Sequence, residues 1–163
     1  MARLCKGGVK LRDQVNRRWP KRDKASDGWI GDRAHSERIS DHNPNKAGVV
    51  HAIDIDEGLG TYANGRTARR LANQILDYAA SGLAGASRLK YVVYENRIAS
   101  GTYRKTFWSW RHGNWGHEAH IHVSFTSAAD RDGTVFPLPI LTRSPLKKAR
   151  WRRDLSKARK ANK

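Results

Sequence analysis

The chain has 163 residues, enough for one domain with a sizeable buried core. Lys and Arg number 32 against 15 Asp and Glu, a net charge of +17, so the partner is expected to be anionic: nucleic acid, an anionic membrane or an anionic cell-wall polymer. A single cysteine, Cys5, excludes an intrachain disulfide framework and a cysteine-built zinc site, which leaves His, Asp and Glu to hold any metal.

Near the N-terminus, Leu11, Val15 and Trp19 recur at helical spacing and predict a short amphipathic helix over 9–19, ended by Pro20. Residues 20–48 are rich in Asp, Ser, Gly, Asn and Pro and read as a long functional loop. VVHAIDID, 49–56, reads as a strand with Ile53 and Ile55 on one face and Ala52, Asp54 and Asp56 on the other. A helix follows over 65–80, its stripe formed by Ala68, Leu71, Ala72, Ile75, Leu76 and Ala79, with Asn64 as N-cap. KYVVYENRIAS, 90–100, predicts two strands joined at Glu95–Asn96, and 119–125 is the last strand. The order predicts an α+β fold: a small, mostly antiparallel sheet with flanking helices. No apolar run approaches the roughly 18 residues of a membrane span, and the N-terminus has no signal-peptide core, so synthesis in a host cytoplasm is expected.

HEAHIHVSF, 117–125, carries three histidines in six positions. On a strand, His120, His122 and Ser124 share one face while Ile121, Val123 and Phe125 face the core. A catalytic zinc takes three protein ligands and keeps one position open, so a second ligand group is required. SDHNPNKAGVVHAIDID, 40–56, offers His42 in the loop and Asp54 on the polar face of its strand, where a carboxylate in an apolar segment needs compensation. His35, His51 and His112 are assigned no site role, and Trp108, Trp110 and Trp115 are read as core and cleft walls.

Ser40-Asp41-His42, then Gly48, then Ala52-Ile53-Asp54 resembles the S-x-H … G-x-A-x-D motif of zinc peptidoglycan peptidases, the D-alanyl-D-alanine carboxypeptidases and L-alanyl-D-glutamate endopeptidases that share a metal core with lysostaphin-type enzymes and hedgehog. His120-x-His122 is similar to that group's H-x-H, and SDGWIGDRAHSERISDHNP, 26–44, to peptidase domains of actinobacterial phage endolysins. The likeness covers roughly residues 10–126. One departure is the longer excursion over 44–50, which keeps Asp56, two residues on and on the same face, as a competitor to Asp54.

The resemblance implies zinc held by His42, Asp54 and His122 on the polar face of the sheet. His120, His117 and Glu118 are then the candidate acid–base residues; in the alternative register His120 is the ligand and His117 the catalytic group. Arg38 and Ser40 are placed to meet substrate, the Arg as a fork for a carboxylate; Ser40 and Asp41 equally suit shaping the loop. The implied activity is zinc-dependent hydrolysis of an amide bond in peptidoglycan stem peptides by a monomeric phage endolysin acting at the bacterial wall. A metal-dependent, HNH-like nuclease, suggested by Asp41-His42 and Pro44, and a non-catalytic zinc-containing wall-binding protein are the alternatives; nucleic acid is the less favoured partner.

After residue 142 the composition changes. Residues 143–163 hold ten Lys and Arg against one acid, so +9 of the +17 lies here. The chain is accordingly divided into a zinc peptidase domain, 1–142, and a basic tail, 143–163. The tail is read as a basic helix with Leu146, Trp151 and Leu155 along one side, suited to an anionic wall polymer or membrane surface.

Overall fold

The computed structural model describes residues 1–31, 39–60 and 65–161. In chain order these form β1 (Arg3–Leu4), α1 (Lys6–Arg18), β2 (Val49–Val50), β3 (Ala52–Asp56), α2 (Arg66–Ala80), β4 (Leu89–Tyr94), β5 (Arg97–Ser100), β6 (Arg111–His112), β7 (His120–Phe125) and α3 (Pro145–Ala161). Five strands build one sheet in the order β3-β7-β4-β5-β6, every neighbouring pair antiparallel, and β1 pairs with β2 in a separate parallel ribbon. The fold is α+β, as the order of elements predicts.

Helix α1 begins three residues before the predicted start, because Cys5 caps it: its Sγ accepts a hydrogen bond from the Gly8 amide. Leu11 and Val15 are fully buried. The predicted strand over 49–56 is split at His51, where the chain leaves β1 and turns to pair with β7. The Asn64 cap lies outside the described residues; the residue before α2 is Gly65, at φ +63°. In α2 the predicted stripe is buried at Ala68, Leu71, Ala72, Ile75 and Ala79 and is joined by Tyr78. Glu95 and Asn96 both have positive φ, 51° and 56°, the geometry of a two-residue hairpin turn whose twist suits the flanking strands. The connection over 107–116 contains β6, which extends the sheet beyond β5.

The apolar faces of β3, β4 and β7 supply Ile53, Ile55, Val92, Ile121, Val123 and Phe125 to the core. A bulge changes the phase of β4: Leu89 opposes Phe125 and Tyr91 opposes Ser124, so Lys90 is the extra residue. Residues 89 and 91 therefore face opposite sides of the sheet. Leu89 and Val92 join the core while Tyr91 turns to the polar face with His122 and Ser124. A bulge re-aims a side chain in this way at the cost of one ladder pair.

Beyond β7 the chain packs back over α1. Gln14, 7% exposed, closes a two-bond clasp: its Nε2 donates to the Phe136 carbonyl at 3.0 Å and its Oε1 accepts from the Phe136 amide at 2.7 Å. Helix α3 lies against α2 and the 139–141 turn, with Leu155 in the core and Arg159 3.4 Å from Asp77. Leu146 is on the other side and 85% exposed. The reading of Leu146, Trp151 and Leu155 as one side is thereby corrected: nine residues at 100° each place Leu146 opposite Leu155, whereas Trp151 is one turn away and half-buried.

Replacing Gln14 by Ala orphans two buried main-chain groups at Phe136. The expected loss is about 1–3 kcal/mol of stability, read as a lower midpoint in chemical denaturation with an unchanged slope. An unmoved midpoint would show that the 131–138 segment is held by packing alone.

Candidate metal centre

The site is built where β3 and β7 lie side by side. Antiparallel register sets Asp54 opposite His122 and Asp56 opposite His120. Side chains directly opposite each other share a face, so the Asp54 carboxylate and the His122 ring meet without any long-range adjustment. His122 Nδ1 is 3.0 Å from Asp54 Oδ1.

His42 is brought in by its loop. The Ser40 hydroxyl accepts from the His42 amide at 3.2 Å, the Asn43 amide donates to the Ser40 carbonyl, and the His42 carbonyl accepts from Gly31. Lys90, projected by the bulge, donates to both oxygens of Asp41 at 2.7 and 2.8 Å and ties the loop to β4. His42 Nε2 then sits 3.2 Å from Asp54 Oδ2 and 3.1 Å from His122 Nδ1.

These three edges, 3.0, 3.1 and 3.2 Å, close a triangle of one oxygen-bearing and two nitrogen-bearing ligands. Bonds of about 2.0–2.1 Å at tetrahedral angles separate ligand atoms by about 3.3–3.4 Å. The triangle has the size of one face of such a shell. Two imidazole nitrogens that face each other cannot both carry a proton, so the centre has acceptors in excess and suits a cation. His42, Asp54 and His122 form a group able to hold a metal ion.

Electrostatics agree with that. Burial favours the neutral carboxyl of Asp54, but hydrogen bonds from His122 and His42 outweigh it and hold the group ionised far below the usual carboxylate range. Burial lowers the pKa of His122 and of His120 and keeps both rings neutral, as ligation requires. For His42 burial also acts downward, yet its contact with Asp54 prevails and the net shift is upward. His42 therefore holds the proton that a metal displaces.

Behind His122, its Nε2 is hydrogen-bonded to Ser124 Oγ at 2.9 Å, and the Tyr91 ring stacks on it at 5.3 Å and 15°. Nε2–H donating to Ser124 leaves Nδ1 unprotonated and pointing into the triangle, and the stacked ring fixes the imidazole plane. Sequence reading placed Ser124 on the correct face without a role and did not single out Tyr91. The only signal for Tyr91 is the bulge at Lys90, which no residue pattern announces.

His120 and His117 stand beside the triangle. His120 Nε2 is 3.6 Å from Asp54 Oδ1, and the His117 ring lies 4.9 Å from that of His120 and 5.0 Å from that of His122. Asp54, His117 and His120 form a second group with ligand atoms close enough for a metal. The exposures separate the two groups. The side chains of His42 and His122 are 7% and 6% exposed, whereas that of His120 is 26% exposed and open to a reactant. His117 has φ +61°, a left-handed backbone that is costly for a side-chain-bearing residue. It is held there by the β4–β5 turn, since the Glu95 and Asn96 amides donate to the His117 and Gly116 carbonyls and Asn96 Oδ1 accepts from Gly116. His117 Nδ1 pairs with the Trp115 carbonyl at 2.7 Å, so its neutral ring presents Nε2 as an acceptor.

The remaining expected residues are placed as follows. Glu118 is exposed, accepts a hydrogen bond from Asn96 and belongs to neither group. Asp56 accepts from the Ser26 and Gly58 amides at 2.9 and 2.7 Å, so its carboxylate is used in the loop and the competition with Asp54 is settled by geometry. Ser40 directs its hydroxyl into its own loop, and Arg38 and His35 lie outside the described residues. His51 pairs with Asp130 at 2.6 Å, away from the triangle. Trp108 is buried, Trp110 donates to Asn73 Oδ1 and Trp115 is exposed beside His117. One contributor to the site escaped sequence reading altogether: Gly28, whose amide and carbonyl bridge Asp54 at 3.3 and 2.7 Å. A Cβ there would stand 3.3 Å from Asp54 Oδ2.

Titration calorimetry with a divalent metal is expected to give one ion per chain. Ala at His42, Asp54 or His122 abolishes binding, and Ala at His117 or His120 leaves it largely intact; two ions, or the reverse pattern, would move the centre to the second group. Ser124→Ala is expected to weaken binding about 10–100-fold. Because the raised pKa of His42 makes protons compete there, affinity should fall with decreasing pH, starting above the ordinary imidazole value of about 6.5. A pH-independent affinity between about 5 and 8 would exclude imidazole ligands.

A scan against protein-family models found no match, and searches of curated proteins and of solved structures found none either.

Proposed function

We propose that this protein is a zinc-dependent peptidase that hydrolyses an amide bond in peptidoglycan stem peptides, of the carboxypeptidase and endopeptidase group whose motifs it resembles, and that it serves as a phage endolysin. The observation that carries the reading is the convergence of His42 Nε2, Asp54 and His122 Nδ1 on one point, with two further imidazoles on the solvent side. Zinc at that point would supply a Lewis acid for a carbonyl and a bound water of pKa about 7.

The chain's own residues supply the proton handling. His120 is neutral at working pH and lies at the open side, so its ring is suited to accept a proton from water and return it to the leaving amine. His117, with Nδ1 committed to the Trp115 carbonyl, offers Nε2 for the same task or for a hydrogen bond to the developing oxyanion. Glu118 is the less favoured base, since its carboxylate is taken by Asn96. Asp54 stays ionised and keeps His42 and His122 oriented.

The nuclease alternative needs an Asn and a His presented by a helix after the first histidine. Here His120 and His122 are on a strand, and no side chain of α1, α2 or α3 belongs to either cluster. Among the described residues no helix is long and apolar enough to cross a membrane, which suits a protein working on a polymer outside the bilayer.

Digestion of purified peptidoglycan by the zinc-loaded protein, followed by mass spectrometry, is expected to reveal new amino and carboxyl termini within the stem peptides. His122→Ala should abolish them. His120→Ala should lower kcat by about 10²–10⁴ with zinc still bound. Intact walls from several bacterial types, with zinc bound, would refute the reading; nicking of plasmid DNA under the same conditions would favour the nuclease.

A further inference from the structure

Helix α3 has two unlike sides. Its inner side holds Leu155, Trp151 and Ala158 toward the body, and Arg159 on its flank pairs with Asp77. Its outer side is a single ridge: Leu146, Arg150, Arg153, Lys157 and Lys160 are all exposed and follow each other at alternating steps of four and three residues. At 1.5 Å per residue the four cations stand about 4.5–6 Å apart along about 15 Å of axis. The single acid of the helix, Asp154, lies between the sides, 3.7 Å from Arg150 and 3.9 Å from Arg153, and offsets only part of that charge. Lys157 and Lys160 have no carboxylate partner among the described residues.

We propose that this ridge is a binding surface for a linear, flexible phosphodiester polymer. A row of evenly spaced cations on a docked helix meets a repeating anion along its length, and helix formation has fixed the spacing in advance. A bilayer fits less well. An interfacial helix buries an apolar face, and here the apolar side is already spent on the body, leaving Leu146 alone outside. A base-reading helix in a DNA groove carries Asn, Gln or comparable side chains on its outer side; this ridge carries only charge and one Leu. That the polymer belongs to the bacterial wall rests on the peptidase reading above; the surface itself does not.

The test measures binding of the full chain to poly(glycerol phosphate) over a salt series, with phosphatidylglycerol vesicles and a duplex oligonucleotide as competitors. Arg153→Gln with Lys157→Gln is expected to lower affinity about tenfold at low salt and to flatten the log–log salt slope by about 1.4, two contacts' worth. Lys105→Gln with Arg131→Gln, which removes the same charge from exposed positions elsewhere, should change neither by more than about a third of that. Equal losses in both variants would reduce the effect to net charge and overturn the proposal, as would an unchanged slope or preferential binding to vesicles or duplex. His122→Ala should bind the polymer normally, so failure of wall digestion and failure of the ridge are read separately.

Discussion

The pairing of Asp54 with His122 across β3 and β7 is the contact on which the site depends. A carboxylate at this depth is costly unless its charge is met, and the register meets it with one imidazole while the 40–48 loop brings a second. The neighbouring features are consequences. The ring behind must be fixed, which Tyr91 and Ser124 do; the loop must be fastened, which Asp41 and Lys90 do; and the strand edge beyond Asp54 must be covered closely, which Gly28 does. A one-residue slip of β7 would send His120, His122 and Ser124 into the core and break all of these at once.

Two local irregularities make this economical. The bulge at Lys90 turns one residue toward the loop and the next onto His122, so one insertion serves both the ligand and its loop. The left-handed backbone at His117, clamped by the β4–β5 turn, carries a third imidazole to the mouth of the site before the strand begins. Buried ligands and a half-exposed pair of histidines divide the work spatially: inside, an ionised carboxylate and neutral rings; outside, rings that exchange protons with solvent.

Much of this was legible in the residues, for physical reasons. Alternation over 119–125 fixed which side chains share a face, and that rule alone put His120, His122 and Ser124 together. The apolar stripe of α2 marked its buried side. The links that escaped notice are those with no periodic signature: the bulge that aims Tyr91, the turn that clamps His117, the capping thiol that starts α1 early, and Gly28, whose role is only the absence of a side chain. Leu146 was misplaced because hydrophobicity was read without its angle around the helix. Glu118 suited base chemistry by type and position in sequence, but its carboxylate turns to Asn96.

The central claim is that one metal ion sits among His42, Asp54 and His122. A crystal of the zinc-loaded protein, with data collected on both sides of the zinc absorption edge, tests it most directly. The account predicts a single anomalous peak within bonding distance of His42 Nε2, His122 Nδ1 and an Asp54 oxygen, with His120 and His117 facing its open side. A peak held instead by His117 and His120, or zinc bound only at the surface, would contradict it.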